Sequence, residues 1–142
     1  MQIPFALLNI GADVAKDTIV VACSEGSFPV RELANQRAAV LAFLKSLPAG
    51  CRIGVESTGT YHELFAEAAH QLGFLVFVLN PKDTRHYAQA VGLRGKTDRV
   101  DAALIARMIA HEHTKLHPWT PPTVRYVGDP GPVRLRNGEL SL

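Results

Sequence analysis

Four acids in this sequence have types and positions that point to chemistry: Asp13, Glu56, Asp98 and Asp101. Asp13 follows the short apolar run Leu7 to Ala12, and Glu56 closes the run that begins at Arg52. Both runs read as buried strands. Strand ends in an α/β sheet face the crevice where ligands bind, so neighbouring strands would bring the two carboxylates together. Asp98 and Asp101 are expected on one helix, opening at Thr97 or Asp98 and running to about His111, where residues three apart share a face. Like charges gathered this way repel, and a fold tolerates them best with a cation between them. Mg²⁺ and Mn²⁺ prefer such oxygen ligands. Two such ions about 4 Å apart can activate a water or hydroxyl and stabilise the leaving oxygen of a phosphodiester. Each acid alone has a plainer reading: a turn residue after a strand, or a first-turn helix acid favoured by the dipole. The conjunction of the four favours a metal site.

Other candidates surround these acids. Lys16 lies three residues after Asp13. Ser57-Thr58-Gly59-Thr60 is a small-residue turn at a helix start, where Thr58 could meet a phosphate, although plain capping explains the turn as well. It is not a Walker loop, because no Gly-Lys-Ser/Thr follows. Tyr61 reads equally as a base-stacking ring and as a packing residue. Arg94, Lys96 and Arg99 stand beside the paired acids, as expected of phosphate contacts. His111 and His113 end a helix, where the dipole favours them, and no Cys/His cluster has zinc spacing.

The elements that must position these residues alternate. Leu7–Ala12 and Thr18–Cys23 flank the Lys16-Asp17 turn as a hairpin, with a third strand over Phe28–Leu33. Asn35 is the expected N-cap of a helix reaching about Ser46. After the strand Arg52–Glu56, Thr60 and Glu63 fit a capping box for the next helix, which Gly73 closes. Phe74–Leu79 reads as a strand buried on both faces, and Asn80-Pro81 opens a helix to about Val91. The order predicts an α/β fold: a mixed sheet with an antiparallel leading hairpin, flanked by helices. Residues 1–122 read as one domain. Residues 123–142 read as a Pro/Gly-rich, poorly ordered tail, because no apolar period survives there.

Composition sets bounds. The 142 residues are 47% hydrophobic and 20% charged, as in ordinary globular protein. A net charge of +2 alone does not indicate a nucleic-acid partner. Its distribution is more telling: residues 1–81 carry five Lys/Arg and seven Asp/Glu, whereas residues 82–142 carry ten and six. The basic excess therefore sits beside Asp98 and Asp101. Cys23 and Cys51 lie in apolar runs and read as reduced core residues. With no secretory signal and no membrane-length apolar run, the expected location is the cytoplasm and no membrane partner is expected.

The motif series Gly11-Ala12-Asp13-Val14-Ala15-Lys16, Glu56-Ser57-Thr58-Gly59-Thr60-Tyr61, Asn80-Pro81 and Gly95-Lys96-Thr97-Asp98-Arg99-Val100-Asp101-Ala102 resembles that of the insertion-sequence-110 family of bacterial transposases, over roughly residues 7–122. The resemblance implies a RuvC-like domain of RNase H fold. Its Asp-Glu-Asp-Asp metal site would correspond to Asp13, Glu56, Asp98 and Asp101, with Mg²⁺ or Mn²⁺ as cofactor. It also implies DNA recombination guided by a structured RNA, and homo-oligomers in the full-length family. Family members continue into a coiled coil and a second domain with a nucleophilic serine. Neither Ser57 nor Ser141 sits in a matching context, and the stretch after Pro121-Pro122 resembles nothing expected there. The expectation is a truncated or frameshifted product, or a fragment, that does not complete transposition alone. The alternatives are a non-catalytic nucleic-acid-binding remnant and a Holliday-junction resolvase-like nuclease.

Overall fold

The computed structural model describes residues 7–92, 100–125, 132–136 and 139–141. Its main sheet has five strands in the order β3-β2-β1-β4-β5. These are β1 (Asn9–Val14), β2 (Thr18–Cys23), β3 (Arg31–Ala34), β4 (Arg52–Glu56) and β5 (Leu75–Leu79). The first three strands pair antiparallel, and β1-β4 and β4-β5 pair parallel, which is the mixed α/β sheet the sequence predicts. Asp13 lies inside β1 rather than after it, because the strand runs on to Val14 before the Lys16-Asp17 turn. Leu75, at 42% exposure, departs from the two-sided burial expected of β5.

Period-two alternation divides the sheet residues between two cores. Ile10, Ala12, Ile53, Val55 and Val76 pack with Phe43 and Leu44 of α1 (Arg37–Lys45) and with Phe65 and Ala69 of α2 (Glu63–Gln71). Phe77 and Leu79 pack on the other face with Tyr87 of α3 (Pro81–Ala90) and with Leu104, Ile105, Met108 and Ile109 of α4 (Ala102–Glu112). Full burial of a side chain such as Ile105 or Ile109 contributes about 1.5–3 kcal/mol. The result is a three-layer helix-sheet-helix unit. After α4 the chain returns to β5, where the Trp119 N–H donates to the Val76 carbonyl at 2.7 Å.

Two glycines let α4 lie close on the sheet. A Cβ on Gly11 would stand 2.1 Å from the Ala102 carbonyl oxygen and 2.4 Å from the Ala106 nitrogen, both backbone atoms. A Cβ on Gly54 would meet the Ile109 side chain at 2.4 Å. Gly11 and Gly54 are register partners, so both strands offer the helix a bare patch at the same level.

Helix starts differ from expectation in three places. Gln36, not Asn35, occupies the N-cap of α1, and its side chain makes no capping bond. The Thr60–Glu63 box does not form: two backbone turns, Tyr61 N–H to Thr58 O and Glu63 N–H to Thr60 O, carry the chain to an N-cap at His62. Helix α4 begins at Ala102, so Asp101 is its N-cap rather than an interior residue, and Val100 precedes it. The start of α3 is as predicted, with Asn80 accepting from the Lys82 N–H and Pro81 in the first turn. In the segment read as a tail without regular order, β6 (Thr123–Arg125), β7 (Pro132–Arg136) and β8 (Glu139–Ser141) pair antiparallel as a second sheet. Among the described residues no helix is long and apolar enough to cross a membrane.

Gly11→Ala should destabilise the fold by about 3 kcal/mol, because its methyl meets helix backbone that cannot rotate away. Gly54→Ala should cost less, about 2 kcal/mol, since its methyl meets the buried Ile109 side chain rather than helix backbone. Urea denaturation of the two variants checks the order; equal costs would refute the close-packing account.

Candidate active site

The register that aligns Gly11 with Gly54 and Ala12 with Val55 carries Asp13 and Glu56 to adjacent positions at the carboxyl ends of β1 and β4. Each lies two residues beyond its glycine, so each shares the face that α4 covers. Gly11-Ala12-Asp13 and Gly54-Val55-Glu56 are thus one arrangement used twice: a bare position where the helix touches, then an acid two residues on. Both acids are half-buried.

Helix α4 delivers the third acid. Its N-terminus points toward the same strand ends, and the N-cap Asp101 accepts the Leu104 N–H on Oδ1 at 2.9 Å. A carboxylate there is favoured by the exposed amides and the helix dipole. Asp13 and Asp101 line one cleft of about 240 Å³, whose remaining wall is Val20, Val30, Ala102 and Ala103. Two carboxylates therefore share a hollow whose other lining is apolar and which opens to solvent at Asp101 and Val30. Asp98 lies outside the described residues, as do Arg94, Lys96 and Arg99. Among the described residues no group of three or more His, Cys, Asp or Glu side chains is gathered tightly enough to cage an ion.

Glu56 is held by a residue that the sequence did not single out. The buried Thr84 hydroxyl, on α3, donates to Glu56 Oε2 and also lies 2.9 Å from the Pro81 carbonyl. One proton serves two acceptors, and the charged one is the stronger. No spacing rule marks a helix threonine as the partner of a strand-end acid 28 residues earlier. The repeated Gly-x-acid pattern, by contrast, was visible and would have identified Gly11 and Gly54.

The loops that leave β1 and β4 carry the other candidates. Lys16 is exposed at the tip of the β1–β2 turn, which the Ala15 N–H to Thr18 O bond closes at 2.8 Å. Thr58 is exposed, with its hydroxyl donating to Glu56 O at 3.2 Å, and Tyr61 is 45% exposed. The structure thus brings Lys16, Thr58 and Tyr61 to the strand ends that hold Asp13 and Glu56. His62 Nδ1 accepts the Thr58 N–H at 3.4 Å, and burial pushes the imidazole pKa below its ordinary value of 6.5. An acceptor nitrogen must be unprotonated, so the hydrogen bond and the burial favour the same neutral form.

A sequence model of the IS110-type DEDD transposases, described as transposase, matches residues 10–127. Over 67 residues the chain is 42% identical to a pilin gene-inverting protein of Moraxella bovis, a match spanning 47% of this chain and 20% of that protein. A pilin gene-inverting protein of Moraxella lacunata matches at 40% over the same length and the same shares. The chain therefore aligns with only 20% of the length of these curated relatives. Among solved structures, T. thermophilus RuvC in complex with a Holliday junction substrate superposes with a TM-score of 0.57 at 13% identity, covering 80% of this chain and all of that one. The likeness to RuvC establishes the RNase H-like fold.

Thr84→Val should cost about 2 kcal/mol, because Glu56 loses its buried donor, whereas Thr84→Ser should retain most of the stability. Urea denaturation decides this, and a valine variant as stable as wild type would remove Thr84 from the site. The lowered His62 pKa has a definite sign. Between its folded value and 6.5 the unfolded chain binds more protons, so this contribution is present above 6.5 and is lost as pH falls through the folded value. An NMR titration should place the His62 midpoint below 6.5, with the Thr58 amide shift moving in step; a midpoint above 6.5 would contradict it.

Proposed function

The chain belongs to the insertion-sequence-110 family of transposases, and from that premise we propose that its acid cleft is the strand-cleaving centre of a metal-dependent DNA recombinase domain. The observation that carries the proposal is the shared cleft of Asp13 and Asp101, with Glu56 one strand away on the same face. The donor set consists of hard oxygens, which suits Mg²⁺ or Mn²⁺ and disfavours softer metals. Asp13, Glu56 and Asp101, with Asp98 beside them in sequence, are the residues proposed to hold the ions and to act in catalysis. Divalent ions there would supply an activated water or hydroxyl and neutralise the charge on the leaving oxygen.

The chain's own residues have distinct parts in this proposal. Asp101 keeps one oxygen on the helix amide while its second remains for the cleft. Thr84 fixes the rotamer of Glu56. Val20 and Val30 form an apolar wall against which a sugar or base edge could rest. Lys16, Thr58, Tyr61, Arg94, Lys96 and Arg99 are the proposed contacts to DNA and to a structured guide RNA. Phosphate contacts would set register, and the Tyr61 ring would stack on a base. We assign residues 1–122 to this RuvC-like unit and residues 123–142 to a separate C-terminal segment. Homo-oligomerisation is proposed for the longer family proteins, and a cytoplasmic location, where bacterial DNA lies, is proposed with the DNA partner. Inversion of a pilin gene is named for relatives much longer than the matched stretch. For this chain the proposal is limited to the cleavage centre.

Calorimetric titration with Mn²⁺ tests it. Wild type should bind saturably, and Asp13→Asn/Asp101→Asn should not. Asparagine is as good an N-cap as aspartate, so the double variant removes charge from the cleft while α4 stays capped. A well-folded wild-type chain without saturable binding would withdraw the metal-site assignment.

A further inference from the structure

Asn35 caps no helix and lines no part of the acid cleft. Its Nδ2 instead donates to Ala15 O at 2.9 Å and Tyr61 O at 3.1 Å, with Lys16 O at 3.4 Å. Its backbone N–H donates to Asp17 O at 2.9 Å. An amide nitrogen has two protons, so two of these contacts are strong and the third is shared. Its Oδ1 is buried and accepts no hydrogen bond among the described residues. A buried acceptor left unpaired is costly. Flipping the amide would set that oxygen against three carbonyl oxygens, so the donor contacts fix its orientation.

The segments tied by this amide are the β1–β2 turn, just after Asp13, and the Ser57–His62 loop, just after Glu56. Each presents one exposed side chain suited to nucleic acid: the Lys16 ammonium and the Tyr61 ring. A cation and an aromatic face on two loops tied at their backbones suit the phosphate and base of an unpaired nucleotide. We propose that Asn35 is a positioning residue that sets Lys16 against Tyr61, so that the pair holds one nucleotide of a single strand beside the acid cleft. This rests on the nucleic-acid reading of the preceding subsection.

The test is fluorescence anisotropy with a labelled single-stranded DNA oligonucleotide, run in parallel with an RNA of the same sequence. Asn35→Asp replaces the donor with an acceptor at nearly constant shape and should weaken binding about tenfold. It should also speed amide exchange in residues 57–62 while β1 and β2 stay protected. Asn35→Ala removes the donor without adding charge, and carries the comparison if the aspartate variant does not fold. In a Lys16→Ala/Tyr61→Ala background neither change should weaken binding further, because Asn35 acts through that pair. Whichever polymer responds in this way identifies the strand held. Undiminished binding by Asn35→Asp, or an equal loss in the Lys16→Ala/Tyr61→Ala background, would overturn the positioning role alone. A wild-type chain that binds neither oligonucleotide would overturn the nucleic-acid reading itself.

Discussion

The close approach of α4 to β1 is the constraint on which the rest of the structure depends. At Gly11 the strand and helix backbones are so near that one methyl group would stand 2.1 Å from a carbonyl oxygen. That contact fixes the helix in height and in rotation. With Ala102 over Gly11, the residue before Ala102 falls beside the residue two places beyond Gly11, which is how Asp101 reaches the cleft of Asp13. Gly54 repeats the close approach one strand over, against Ile105 and Ile109 further along the helix, and the strand register sets Glu56 beside Asp13. Packing of the apolar core and assembly of the acids are therefore one event rather than two.

The fold gives two of these acids local hydrogen-bond partners. Asp101 is offset by a helix amide and the dipole. Glu56 is offset by the buried Thr84 hydroxyl. These hydrogen bonds also hold the Asp101 and Glu56 carboxylates in set orientations.

Much of this was legible in the sequence, for identifiable reasons. Asp13 and Glu56 end apolar runs, and strand ends can be read from one chain because burial and period are local properties. The mixed sheet followed from a hairpin turn and alternating helices. Local rules failed where a long-range partner competed. Asn35 has a capping side chain, yet three carbonyls from distant loops hold it. Thr60 and Glu63 have capping-box spacing, yet two backbone turns intervene and the His62 ring takes the Thr58 amide. Asp101 was read as an interior helix residue on a shared face, whereas its extended backbone, at φ −126°, makes it the cap. Thr84 carried no signal, because its meaning lies entirely in a tertiary contact. The pairing of residues 123–125, 132–136 and 139–141 was also missed, since these runs are only three to five residues long among Pro and Gly, although Val133-Arg134-Leu135-Arg136 alternates.

Asp101 shows how closely stability and site are joined. A side chain that both starts a helix and faces a cleft cannot be exchanged for an arbitrary oxygen donor. Glutamate would carry the charge but reach past the Leu104 amide, and serine would cap the helix but lose the charge. Only aspartate supplies both a short capping acceptor and a formal negative charge. The same reasoning explains why the acid stands at the helix boundary and not one turn further in. Inside the helix the amides are already bonded, so the carboxylate would lack the Leu104 amide donor that holds it at the cap beside Asp13.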